Sequence, residues 1–118
     1  MLKVHAKRLD AVEVLCLEGQ IVTGNTEILR RAMQLASGVS EIILDLANVS
    51  VVDAHGLGVL LQLREQALAK GVHFELRNVN RPLHRIFEIT RLDTVFNIDR
   101  SFNYSPAFSY LDQVLVAA

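Results

Sequence analysis

The residues with the greatest chemical potential in this chain fall in one short run, Asp53-Ala54-His55-Gly56-Leu57-Gly58. An Asp-x-His pair is a starting point for acid–base chemistry, in which a carboxylate orients an imidazole that moves a proton. Two features weigh against that use here. Side chains two positions apart at a helix start diverge instead of facing each other. A nucleophile is also wanting, since Ser50 is the only Ser or Cys close by in the chain. Gly56 and Gly58 do not complete a dinucleotide fingerprint, because Leu61 fills the third glycine position. The histidines His5, His55, His73 and His84 are scattered without ligand spacing, and a lone Cys16 excludes both an intramolecular disulfide and a multi-cysteine metal centre. The expectation is therefore a protein that is not an enzyme, with no catalytic residue, no cofactor and no metal.

What the run does offer is a helix start. The apolar strand Ile42 to Leu46 leads through a short loop, Ala47 to Ser50, to Val51 and Val52. Asp53 then opens a helix that continues to about Lys70. Asp53 is expected to be its N-cap. Gly56 and Gly58 are expected to let it lie close to a sheet, and Leu57, Leu60, Leu61 and Leu68 to face the core, with Val59 and Leu63 beside them. Free backbone N–H groups and the positive dipole end make such a tip a natural place for a charge, a phosphate or a partner's side chain.

The remaining elements are those needed to hold that tip. Leu2 to Leu9 alternates as a strand, Asp10 marks a turn, and Val12 to Leu17 is apolar on nearly both faces, so the pair forms a hairpin with its second strand central. Glu18-Gly19-Gln20 is expected to end that strand. Asn25 or Thr26 caps a first helix with Ile28, Leu29, Ala32, Met33, Leu35 and Ala36 at helical spacing, stopped by Ser37-Gly38. Gly71 closes the helix after Asp53, Val72 to Leu76 forms a fourth strand, and Pro82 sits in the first turn of a short third helix carrying Leu83, Ile86 and Phe87. The order predicts one α/β domain with a mixed sheet and packed helices. Ser105-Pro106 starts a further amphipathic stretch, with Phe108, Leu111, Val114 and Leu115 on one face. It is expected to be a helix packed on the domain; a dimer or partner contact is the alternative.

Composition narrows the function. At 118 residues, 51% hydrophobic and 21% charged, the chain is one domain's worth and not a disordered one. Twelve basic against thirteen acidic residues give a net charge of -1, which argues against nucleic acid as a partner. No apolar run is long enough to span a bilayer, and the N-terminus lacks a signal-peptide core, so a soluble, cytoplasmic protein is expected.

The run from Ile42 through Asp53-Ala54-His55-Gly56-Leu57-Gly58 to Leu61 resembles the centre of the STAS domains of bacterial anti-sigma factor antagonists. Leu17-Glu18-Gly19-Gln20-Ile21, Phe74 to Val79 and Ile86 to Phe96 are similar to flanking parts of the same family. The resemblance covers most of the chain to about Ile98. It implies a STAS-like domain over residues 1–100, followed by a C-terminal extension over 101–118.

It also implies a non-catalytic regulator of transcription that works by partner switching. Such a protein docks on an anti-sigma factor that is also a kinase, and phosphorylation of a hydroxyl just after the Asp releases it. A phosphate of charge about -1.5 to -2 at a docking surface acts through repulsion and desolvation. This chain departs from the pattern, because Ala54 and His55 stand at the two hydroxyl positions and Val22 replaces an acidic residue after the second strand. His55 thus takes the regulatory position within a docking surface of Asp53, Ala54, His55, Gly56, Leu57 and Gly58. The alternative is a STAS-like subunit that binds a small ligand or a membrane-transport assembly. Ser50, Thr23 and Thr26 are the other hydroxyls in question.

Overall fold

The structure, a computed structural model, describes residues 1–99. The stretch expected to form a C-terminal helix lies outside those residues. Among the described residues the order is β1 (Leu2–Leu9), β2 (Val12–Ile21), α1 (Glu27–Leu35), β3 (Glu41–Val52), α2 (Ala54–Ala69), β4 (His73–Arg77) and α3 (Arg81–Ile89), then a 3₁₀ turn at Leu92–Thr94. The strands form one sheet in the order β1-β2-β3-β4. β1 and β2 pair antiparallel, while β2–β3 and β3–β4 are parallel, so the sheet is mixed. Asp10 makes the hairpin turn at φ 55, a left-handed conformation that a short polar side chain tolerates.

Alternate residues of the strands, among them Leu15, Leu17, Ile42, Leu44, Leu46, Phe74 and Leu76, enter a single core. Leu29 and Met33 of α1, Val59, Leu60, Leu63 and Ala67 of α2, and Leu83 and Phe87 of α3 complete it. All three described helices therefore cover one face of the sheet. The last described apolar residues close it, with Phe96 against Phe87 and Phe74, and Ile98 bridging to Leu76. Among the described residues no helix is long and apolar enough to cross a membrane.

Four expectations from sequence need correction. Ala47 to Ser50 is not a loop. Cys16 pairs with Asp45 but Glu18 with Asn48, and Gly19 with Val49 but Gln20 with Val51, so β3 takes in an extra residue at two places and stays paired. Glu18-Gly19-Gln20 likewise does not end β2. Gly19 is there because the chain start passes over it: at φ +115, an added Cβ would strike the Met1 carbonyl oxygen.

Ile28 and Leu35 of α1 and Leu68 of α2 are 46%, 75% and 48% exposed, so none of them belongs to the buried stripe. Leu57 and Leu61 are only half-buried and pack on its margin, while Val59 and Leu63, expected beside the stripe, lie inside it. In α2 the line actually buried runs Gly56, Val59, Leu60, Leu63, Ala67, and its small members set which side faces the sheet.

Candidate functional site

The expected tip forms where β3 hands over to α2. Asp53 leaves the strand in extended conformation (φ -92, ψ -177) and its Oδ1 accepts the Gly56 N–H at 2.8 Å, which makes it the N-cap. The other oxygen reaches across to the turn after β2, where Oδ2 accepts the Thr23 backbone N–H at 3.0 Å and the Thr23 hydroxyl at 3.1 Å. One carboxylate thus ties the start of α2 to the end of β2. The Thr23 N–H, then the Gly56 N–H, hold its pKa below the ordinary value, with smaller help from the Thr23 hydroxyl and His55.

Gly56 explains why the tip sits as it does. An added Cβ there would overlap the Ile21 carbonyl oxygen and lie 3.1 Å from Val52 Cγ1. No other residue fits. Gly58 is different: nothing lies within 4 Å of the place its Cβ would take, so close packing does not require a glycine there, contrary to the sequence expectation.

Ala54 and His55 are exposed in the first turn of α2. The His55 ring turns toward α1, its Nε2 lying 3.5 Å from the Thr26 hydroxyl, whereas the carboxylate of Asp53 is engaged by Thr23 and Gly56. The two side chains of the Asp-x-His pair therefore serve different neighbours, as their spacing predicts. Thr26 is the N-cap position of α1 but makes no side-chain cap bond. Asn25 instead uses its side-chain oxygen to accept the Val22 N–H at 3.0 Å, shaping the turn.

Of the other hydroxyls, Thr23 is exposed beside Asp53 and Thr26 is buried under His55, while Ser50 donates to the Gly19 carbonyl from the strand. The contribution of Thr23 to the cap was not visible in the linear sequence. The only signal was the polar break Thr23-Gly24-Asn25, with Gly24 at φ 94.

A mixed sheet covered by the described helices on one face, with an aspartate-capped helix start at the end of its third strand, defines a small mixed-sheet α/β domain. The chain belongs to the STAS domain family, whose model matches residues 3–104. It is 26% identical over 100 residues to an anti-sigma F factor antagonist from Paenibacillus polymyxa, covering 82% of this chain and 86% of that protein. The crystal structure of an anti-sigma factor antagonist from Mycobacterium paratuberculosis matches with a TM-score of 0.76 at 22% identity, over 87% of this chain and 89% of that one. A sulfate transporter family protein from Wolinella succinogenes matches with a TM-score of 0.70 at 19% identity, over 92% of this chain and 89% of that one. The structural likenesses establish the fold.

Proposed function

We propose that this domain is a non-catalytic docking module of the anti-sigma factor antagonist type, binding an anti-sigma-factor or kinase-like protein through the tip at Asp53–Gly58. The observation that carries the reading is the tip itself. Asp53 spends its carboxylate on holding two chain segments, which leaves Ala54 and His55 as an exposed, rigidly mounted surface. Ile28, two residues after the Thr26 that meets His55, and Val51, two residues before Asp53, are each about half exposed. The antagonists among the matched proteins support the partner class. His55 occupies the position where a phosphoacceptor hydroxyl is expected, so no seryl or threonyl phosphate can form there to release the docked state.

The test is a quantitative pull-down against an anti-sigma-factor-type protein from the same genome, with the chain as it stands and with His55→Glu. The introduced carboxylate places a full charge where the phosphate would lie, and affinity is expected to fall by about tenfold or more. Unchanged affinity rejects the tip as the interface. Incubation with that protein and ATP, followed by mass spectrometry, checks the switch: a phosphate on Thr23 or Thr26 that alters binding would relocate it. Binding only to a membrane-transport assembly or a small ligand would favour the other STAS use.

A further inference from the structure

At the opposite end of β3 from Asp53, three side chains that the sequence scatters are brought together. Glu41 and His73 are directly paired in the β3–β4 register, and Glu75 stands two residues beyond His73 on the same face. Their alternate neighbours Ile42, Phe74 and Leu76 enter the core, so these three point to the face without described helices. His73 Nε2 lies 3.6 Å from Glu41 Oε2 and 3.7 Å from Glu75 Oε1, and all three ligand atoms fall within 4.8 Å of one another.

We propose that Glu41, His73 and Glu75 bind one divalent transition-metal ion of the zinc type. Zinc-to-ligand distances of about 2.0–2.2 Å set tetrahedral donors roughly 3.4 Å apart, within a few tenths of both observed spacings. Asn97 offers a fourth candidate donor beside His73. The Asn97 carboxamide nitrogen lies 3.1 Å from His73 Nε2, and a half-turn of that amide puts its oxygen there instead.

The charge balance points the same way. Arg77 lies 3.6 Å from Glu75 Oε2 and 3.5 Å from Asp99 Oδ2, while Glu41 meets His73. A cation at His73 Nε2 would meet the carboxylates of both Glu41 and Glu75. An imidazole within a set of three or four ligands selects zinc over magnesium or calcium, which demand more oxygen donors. The ligands come from backbone positions fixed by strand pairing. The ion would therefore act as a clip between β3, β4 and the segment that carries Asn97, independently of the docking tip.

Isothermal titration of the full chain with Zn²⁺ in chelator-washed buffer, beside thermal unfolding at the same concentrations, tests the site. One ion per chain is expected, with a rise in Tm that Mg²⁺ and Ca²⁺ do not give. His73→Ala and Glu75→Gln should each weaken binding by at least about tenfold and abolish the rise. Cys16→Ser should leave both unchanged, although Cys16 faces His5 across the hairpin. His73 is half exposed, so its replacement should leave the metal-free Tm close to that of the parent and the comparison clean. Absence of binding below about 1 mM Zn²⁺ would overturn the site. So would affinity that survives both ligand changes or is lost with Cys16→Ser.

Discussion

Asp53 at the end of β3 and Glu75 on β4 are carboxylates treated in opposite ways by one sheet. Asp53 is met by two backbone N–H groups and a hydroxyl, and its pKa is held below the ordinary value of 3.8. Burial pushes that of Glu75 above the ordinary 4.5, and repulsion from Asp99 and Glu41 adds to it against the pull of Arg77 and His73. The contrast separates a carboxylate built into the scaffold from one gathered with its own kind. At the first end the charge is spent on architecture, and the neighbours Ala54 and His55 stay exposed. At the second the architecture places carboxylates close to one another and partly buries Glu75, so its charge is disfavoured.

The sharpest way to break the tip is through Gly56. Gly56→Ala forces the α2 start away from the Ile21 carbonyl, and overpacking of that kind costs about 1–3 kcal/mol. Thermal or urea unfolding should register it, and docking should weaken with it because the surface shifts as a body. If stability were unchanged, α2 would have room to move and the tip would not be rigidly mounted.

Asp53→Ala removes the cap and the tie to Thr23 together, so Tm is expected to drop by about 4 °C or more. The pH dependence follows from the lowered pKa. The stabilisation from Asp53 is complete above the unfolded value near 3.8 and is lost as pH falls through the lower folded value. The difference in Tm between parent and Asp53→Ala should therefore be constant from neutral pH down to that range and shrink below it. A gap that closed already near neutral pH would mean another group carries the effect.

Gly58 provides the contrast within the tip. With nothing near its missing Cβ and ordinary helical surroundings, Gly58→Ala should stabilise by about 0.5–1 kcal/mol, because glycine costs a helix interior that much. The two glycines look equivalent in the sequence, two positions apart in one helix start. What distinguishes them is a carbonyl on β2, far away in the chain, and no local pattern reveals it.

That limit marks what could be read in advance. Features that depend on near neighbours were legible: the Asp10 turn, the Asp53 cap, and Gly71 at φ 72 closing α2 with the Val72 N–H on the Ala67 carbonyl. Pro82 in the first turn of α3 was legible too, although it is Asn80 that supplies the cap, accepting the Leu83 N–H. Features set by distant pairing were not. In α2, apolar residues at 57, 59, 60, 61, 63 and 68 surround much of the helix, so hydrophobicity alone did not choose the buried side. The small residues Gly56 and Ala67, seen against the sheet, do choose it. Glu41 and His73 are likewise 32 positions apart and meet only through the β3–β4 register.

The smallest expected effect probes the other end of the comparison. Glu75→Gln keeps the shape of the side chain and removes a charge that burial and two neighbouring carboxylates disfavour. For a carboxyl with a raised folded pKa the sign is the reverse of Asp53. Its cost to the fold is absent below the unfolded value near 4.5 and grows as pH rises through the higher folded value. In metal-free buffer at neutral pH, Glu75→Gln should therefore raise Tm, by only about 1–3 °C because the group is partly solvated. At pH well below 4.5 the gain should vanish. Added salt should shrink it at neutral pH, since screening weakens the repulsion from Glu41 and Asp99. A fall in Tm at neutral pH would mean that the contacts of Glu75 with Arg77 and His73 outweigh burial and repulsion, and the two ends of the sheet would then treat their carboxylates alike.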